Sequence, residues 1–419
     1  MGIKKKKIAN IFPKDFLWGA STSSHQVEGG NTNNWSEWEK RTAEERAKKI
    51  PSWYGFPKHL LEEAQEPLRR ISGMAADSLH RWKDDIKLLK EMELNSYRFS
   101  VEWSRIFPQK GVTSEEGLKY YRTLISDLKK NGIEPLVTCW HWTLPLWLVE
   151  EGGELAKNST EYFREYVRVL AENFGKEVKY WMILNEPESV ASKGYFLGDW
   201  PPARKNPFLA LHLYYKKMVE WHKVGYEEVK KVNKDAWVGV AKPNVHIESY
   251  NGNIFNVWIA QAGHFFANVL FLKKIRNYLD FIGLNYYFHT KVGIVGERND
   301  NDRVSDFGWW MKPGSIYHVL VALKRFHLPV IITENGLADS KDQYRKWWLD
   351  ETFKAMKKAI RKGVDLRGYL HWSLVDNFEW AEGFWPKFGL AEVDPKSFDR
   401  RLRKSGYYYR DLILQERGK

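Results

Sequence analysis

The stretch "VIITENGL" (330–337) places Val330, Ile331 and Ile332 in an unbroken apolar run, then ends on a carboxylate, Glu334, with an amide and a glycine behind it. A short apolar run without alternation suits a strand covered on both faces, as in a parallel sheet. A glutamate at the end of such a strand costs several kcal/mol to bury unpaired, so it is either salt-bridged for structural reasons or aimed at chemistry.

Working outward from this run, seven more of the same kind appear: "FLWGAS" (16–21), "SYRFSV" (96–101), "EPLVTCW" (134–140), "KYWMILN" (179–185), "AWVGVAK" (236–242), "DFIGLNY" (280–286) and "RGYLHWS" (367–373). Between them lie amphipathic stretches with apolar residues at helical spacing, among them "SLHRWKDDIKLLKEME", "EEGLKYYRTLISDLKK" and "STEYFREYVRVLAENF". Thr113 with Glu116 predicts a capping box, Asn206 followed by Pro207 a helix start, and Gly132, Gly175 and Gly363 helix stops. Eight strand–helix units without a Pro/Gly/Ser linker predict an α/β fold, a single (β/α)8 TIM barrel over residues 1–419. The competing architecture, a doubly wound sheet, is weakened because no "GxGxxG" or "GxxxxGK" follows any of these runs.

Composition narrows the function classes. The chain has 419 residues, 43% hydrophobic and 28% charged, which suits a large core under a solvated surface. A net charge of +13 raises nucleic acid as a partner, but the basic residues are scattered pairs beside acids, so an ion-pair-rich surface of thermostable type is expected and nucleic acid is not. The only cysteine, Cys139, leaves no internal disulfide and no Cys-based zinc site and is read as a small buried hydrophobe. The basic start "MGIKKKKIANIF" has no apolar segment after it, so no secretion signal is read and a cytoplasmic location is expected. Twenty-one tryptophans suggest flat surfaces for sugar rings as well as core filling.

In a barrel of this kind the chemistry sits at the C-terminal ends of the strands. The residues there are Gln26 and Glu28 after the first strand, Arg98 on the second, His141 and Trp142 after the third, and Asn185 and Glu186 after the fourth. Asn285 and Tyr287 follow at the sixth, Glu334 at the seventh, and Trp372 at the eighth, with Glu379 and Trp380 beyond it. Two glutamates across one barrel mouth are what acetal hydrolysis needs: one protonates the leaving oxygen while the other, ionised, attacks or stabilises the sugar. Arg98, if it reaches Glu334, would hold that carboxylate ionised, making Glu334 the nucleophile and Glu186 the acid. Neither H-x-H nor H-E-x-x-H occurs, so no metal site is expected, and "GERNDNDRVSD" (296–306) lacks the glycine and terminal glutamate of a calcium loop. No G-x-S-x-G elbow is present.

The segments "FPKDFLWGASTSSHQVEG", "YRFSVEWSRIFP", "VTCWHWTLPLWL", "ILNEP", "DFIGLNYY", "ITENG" and "HWSLVDNFEWAEGFWPKFGL" resemble the signatures of glycoside hydrolase family 1, the retaining β-glucosidases and β-galactosidases, in family order from about residue 12 to about 409. The resemblance implies a (β/α)8 barrel, no cofactor, a retaining mechanism through a covalent glycosyl-enzyme, and hydrolysis of terminal β-D-glucosyl residues. β-Galactosidase and β-mannosidase stand as same-family alternatives, and a non-catalytic sugar-binding barrel as the alternative of another class. It implies Glu186 as acid/base, Glu334 as nucleophile, Asn185 on the sugar 2-hydroxyl, and Arg98 and Tyr287 in support of the nucleophile. Sugar contacts would be Gln26, His141, Trp142, Asn285, Trp372, Glu379, Trp380 and Phe388. Glu379 would repel a 6-phosphate, implying neutral glycosides as substrates. The chain departs from the family at Ser78 and Leu79, where His and Tyr are common.

Trp309, Trp310, Phe384 and Trp385, near the expected mouth, favour an apolar aglycone. "IFNVWIAQAGHFFANVLFLKK" (254–274) is apolar round most of a helix, with Gln261, His264 and Asn268 as a polar stripe. It reads as a barrel helix or subunit interface of a homo-oligomer, or alternatively as a helix lying on a membrane surface.

Overall fold

The computed structural model describes residues 11–49 and 56–418. The N-terminal basic run on which the secretion reading rests lies outside them. Eight strands close into a barrel: β1 (Leu17–Ser21), β2 (Ser96–Ser100), β3 (Glu134–Trp140), β4 (Tyr180–Asn185), β5 (Trp237–Pro243), β6 (Ile282–Asn285), β7 (Val330–Asn335) and β8 (Leu366–Trp372). Each strand pairs parallel with the next in the chain, and β1 closes the ring against β8, with Leu17 opposite Gly368 and Ser21 opposite Trp372. The expected strands are all present, displaced by no more than two residues.

The barrel interior is layered. Its lower part is a plug of Leu17, Leu136, Met182, Ala241, Phe281, Ile331 and Leu370, all buried. Arg98, Thr138, Asn185, Asn285 and Thr333, also buried, form a polar layer nearer the C-terminal ends. Close packing below leaves the upper side chains little room to move, which is how a rigid strand fixes a reactive group. Gly336, just after β7, is required by space: a Cβ there would lie 1.9 Å from the Trp372 carbonyl oxygen.

Outer helices cover the ring, including Ser78–Glu91, Glu115–Lys130, Ser159–Phe174, Met218–Val232 and Arg345–Arg361. Asn206 caps as expected, accepting from the backbone N–H groups of Phe208 and Leu209. The box expected at Thr113 is displaced by one residue: Ser114 caps instead, its hydroxyl accepting from the Gly117 N–H, and glycine at that position cannot complete a box. Cys139 is fully buried on β3.

The helical segment Ile254–Tyr278 corrects the reading of 254–274 as a buried barrel helix. It is 25 residues long, and an 18-residue window within it has mean hydropathy 1.3 with only 28% of that window buried. Ile254, Phe255, Trp258, Ile259, Phe265 and Phe266 are exposed, while Asn268 is buried. The Asn268 amide donates to the Val245 carbonyl and accepts from the Val245 N–H, so part of the polar stripe faces the protein.

Candidate active site

Glu334 emerges at the end of β7 and is 4% exposed. Arg98 of β2, fully buried, donates to Glu334 Oε1 at 2.5 Å, and the Tyr287 hydroxyl donates to Oε2 at 2.6 Å. Both donors stabilise negative charge on this carboxylate. Because both partners are buried, removing Arg98 alone would strand a charge at a cost of about 3–5 kcal/mol.

Glu186 stands just past β4 with φ +41°, a left-handed backbone uncommon for a residue other than glycine. Pro187 opens the short helix Pro187–Val190 directly behind it. Backbone strain of about 1–3 kcal/mol at such a position is typical where a side chain has to be aimed. Asn285 Nδ2 donates to Glu186 Oε1 at 2.8 Å and Ser189 Oγ to Oε2 at 2.8 Å. Burial, and then the charge of Glu334, push the Glu186 carboxyl up to about 7.

The two glutamates belong to one polar network. Arg98 also donates to Asn185 Oδ1 at 2.6 Å and to Thr138 Oγ1 at 3.0 Å. Asn285 Nδ2 reaches the same Asn185 oxygen at 3.2 Å, and Thr333 Oγ1 donates to Asn285 Oδ1 at 2.7 Å. With its oxygen committed, Asn185 turns Nδ2 to His141 Nε2 at 3.0 Å. The His141 proton therefore sits on Nδ1, which has no partner among the described residues and is a donor left over for a ligand. Burial drives the His141 imidazole well below its ordinary range, which keeps it neutral.

His141, Trp142, Glu186, Tyr287, Glu334, Trp372, Glu379, Trp380 and Phe388 line one cavity of about 570 Å³. The other predicted residues stand behind this wall. Arg98, Asn185 and Asn285 orient the carboxylates, and Gln26 Nε2 holds Glu379 Oε2 at 3.2 Å and the Phe378 carbonyl at 2.8 Å. The Trp142 indole N–H is spent on the Asn185 carbonyl at 2.9 Å, so Trp142 offers a surface. His141 stacks on Trp380 at 5.7 Å and 14°. Glu28 is structural: it accepts from Arg105 at 3.1 Å and from the Tyr121 hydroxyl at 2.6 Å. Of the four aromatics expected at the mouth, Trp309 lines the cavity and Trp310, Phe384 and Trp385 do not.

A family model described as Glycosyl hydrolase family 1 matches residues 8–269 and 242–418. The chain belongs to glycosyl hydrolase family 1. It is 33% identical to a 1,4-beta-D-glucan glucohydrolase of Thermotoga neapolitana, the alignment covering 96% of this chain and 98% of the relative. It is 32% identical to Beta-glucosidase A of Thermotoga maritima, covering 99% and 98%. Among solved structures it resembles the Thermotoga maritima beta-glucosidase in complex with glucoimidazole, at TM-score 0.85 and 30% identity over 97% of this chain and 99% of that one. This family 1 chain is accordingly a β-glycosidase.

Several residues of this family 1 site were not singled out from sequence. Lys242, next to last on β5, is fully buried; its ammonium contacts the Glu188 carboxylate and donates to the carbonyls of Pro243 at 2.8 Å and Ala267 at 2.6 Å. Its positive charge also acts on Glu186. The available signal was a lysine closing the fifth apolar run, where the other strands carry their functional residues. Trp200, Tyr214, Phe288 and Phe307 add to the cavity wall from loops and helices whose sequence carries no marker of approach.

Proposed function

We propose that this glycosidase is a retaining β-glucosidase acting by double displacement. The observation that carries the reading is the opposed setting of two carboxylates in one cavity: both Glu334 oxygens accept from Arg98 and Tyr287, while burial and the Glu334 charge raise Glu186 to about 7. In the first step a Glu334 oxygen bonds to the sugar C1, the glycosidic bond breaks, and the Glu186 proton passes to the leaving oxygen. In the second, Glu186 as carboxylate takes a proton from water, the water oxygen bonds to C1, and Glu334 is released. An Arg-paired carboxylate suits attack and departure better than proton abstraction, which favours this route over a single inverting step. Proton NMR of the first-formed sugar tests it: β-glucose from a β-glucoside is expected, and α-glucose would overturn the proposal.

The preference for glucose rests on donors and acceptors gathered at one end of the cavity, His141, Glu379 and the indoles of Trp372 and Trp380, suited to several hydroxyls at once. The same contacts can accept an epimer, so galactosidase or mannosidase activity is the reading to beat. A non-catalytic sugar-binding barrel has no use for this second carboxylate.

Glu379 sharpens the substrate class. Burial first, then Glu334 and Glu382, push its carboxyl up to about 8, above the ordinary carboxylate range assumed from sequence. A 6-phosphate dianion at this end would meet the buried acidic group of Glu379, whose amide partner Gln26 is already engaged. We expect kcat/KM for an aryl β-glucoside to exceed that for its 6-phosphate by roughly a hundredfold, the scale of several kcal/mol for like charges. Equal values would contradict this.

Toward the opening, Trp200, Tyr214, Phe288, Phe307 and Trp309 form an apolar wall. It fits an apolar aglycone, and kcat/KM for alkyl β-glucosides should rise roughly three- to fourfold per methylene until the wall is covered. A flat series would argue against it.

The exposed apolar face of Ile254–Tyr278 continues beside this opening through Ala267, which lines the cavity. Trp258 and Phe255 on that face, Lys273 and Lys274 at its end and the net charge of +13 favour an anionic bilayer surface as its occupant. Vesicles with anionic lipid should co-sediment the enzyme at physiological salt, and Trp258→Ser should weaken this about tenfold. No sedimentation, or self-association through the same face, would refute membrane contact.

A further inference from the structure

Beyond β5 and β6 the chain forms a short ladder in which His246–Ser249 runs parallel to His289–Gly293. It places His246 opposite His289, 43 positions away in sequence, with their rings 4.7 Å apart. Glu248 is two residues beyond His246, so it projects from the same face of its strand. The ligand atoms of His246, Glu248 and His289 all lie within 4.8 Å of one another. His318, from the helix Ile316–Leu323, stacks flat on His246 at 4.4 Å and 6°.

Hydrogen-bond accounting shows which atoms remain unused. The Tyr286 hydroxyl donates to the Lys312 carbonyl at 2.9 Å. His289 Nδ1 lies 2.9 Å from the Ser315 hydroxyl, which accepts when the imidazole proton is on Nδ1. That assignment leaves the His289 Nε2 lone pair facing a Glu248 oxygen 3.0 Å away, outside hydrogen-bond alignment, on a side chain 5% exposed. His246 Nδ1 is likewise buried without a partner among the described residues. Two imidazoles, each with a ring nitrogen lacking a hydrogen-bond partner among the described residues, and a carboxylate thus meet in one place, an arrangement that a cation between them would satisfy.

We propose that His246, Glu248 and His289 bind one divalent transition-metal ion of the zinc class. Two imidazoles and a carboxylate are the donor set such an ion takes, with metal–ligand distances of about 2.0–2.2 Å and a fourth position open to water. The Ser315 hydroxyl supplies the outer hydrogen bond that fixes a ligating imidazole in one tautomer. The neighbouring lysines are compensated: Lys291 pairs with Asp300 at 2.6 Å and Lys312 with Asp302 at 3.6 Å. Glu248, with 43% of its side chain exposed, leaves an entry path. The ion would clamp together the segments following β5 and β6, which carry Val245 and Phe288 of the cavity wall and Tyr287 of the nucleophile's support.

The test uses the full-length, tag-free enzyme, stripped with a chelator and then titrated with zinc chloride. One equivalent of zinc should survive gel filtration and raise Tm by roughly 2–4 °C at hundredfold excess over Kd. Glu248→Gln, at an exposed position, and His246→Asn should each weaken zinc binding at least tenfold while leaving glycosidase activity in zinc-free buffer unchanged. The proposal is overturned if the parent retains no zinc, meaning that a proton alone occupies the gap, or if both variants bind zinc as tightly as the parent.

Discussion

Glu334→Gly is expected to lower kcat for an aryl β-glucoside by roughly ten-thousand-fold, the scale seen when a covalent nucleophile is removed and its surroundings are left standing. The loss follows from how completely Glu334 is held. Arg98 and Tyr287 take one oxygen each, and β7 beneath is packed on both faces, so no neighbouring group can swing in as a substitute. Glycine leaves a space about the size of a small anion beside the Arg98 guanidinium. Azide should occupy it, attack C1 from the nucleophile's side and restore turnover, giving the α-glucosyl azide. Activity of Glu334→Gly within tenfold of the parent would assign the chemistry elsewhere.

Glu186→Ala should separate substrates by leaving group. An alkyl β-glucoside needs its oxygen protonated as the bond breaks, and its rate should fall by about a thousandfold, within the range of general acid catalysis. A dinitrophenyl β-glucoside leaves unaided, and its first step should fall by less than about tenfold, since what is lost there is only packing and orientation. The same residue fixes a pH dependence. Burial and the Glu334 charge raise Glu186 to about 7, so the required protonated form is present below that pH and lost above it. For the parent, kcat/KM on alkyl glucosides should therefore decline about tenfold per unit as pH rises beyond 7, and Glu186→Ala should be flat there. Equal losses on both leaving groups, or a declining limb that survives in the variant, would exclude Glu186 as the acid.

The barrel was legible because its strands are buried on both faces: an apolar run closed by a polar residue marks both the strand and the rim, as "VIITEN" and "YWMILN" show at β7 and β4. The same logic passed over Lys242, next to last on β5, which meets Glu188, because its contact to the Ala267 carbonyl is set by a helix distant in sequence. Periodicity left 254–274 open between a barrel helix, a subunit interface and a helix on a membrane surface. It separates a polar stripe from an apolar face but does not say which one meets the protein, and here Asn268 is tied inward to Val245 while Phe265 and Phe266 face out. Local spacing likewise discouraged any metal reading, since His246 and His289 become neighbours only through a ladder. Trp310 and Phe384 were placed at the mouth by proximity in sequence. Trp310 packs on His289 at 4.8 Å and Phe384 lies under Arg69 at 4.3 Å.

The central claim is that Glu334 forms a covalent bond to the sugar while Glu186 moves the proton. The most direct test is mass mapping of the enzyme inactivated with an activated 2-deoxy-2-fluoro-β-glucoside, which slows release of the glycosyl-enzyme more than its formation. One fluoroglucosyl group on the peptide containing Glu334 is the predicted result. An adduct on any other residue, or an enzyme that turns over the parent glucoside while no adduct accumulates, would contradict it.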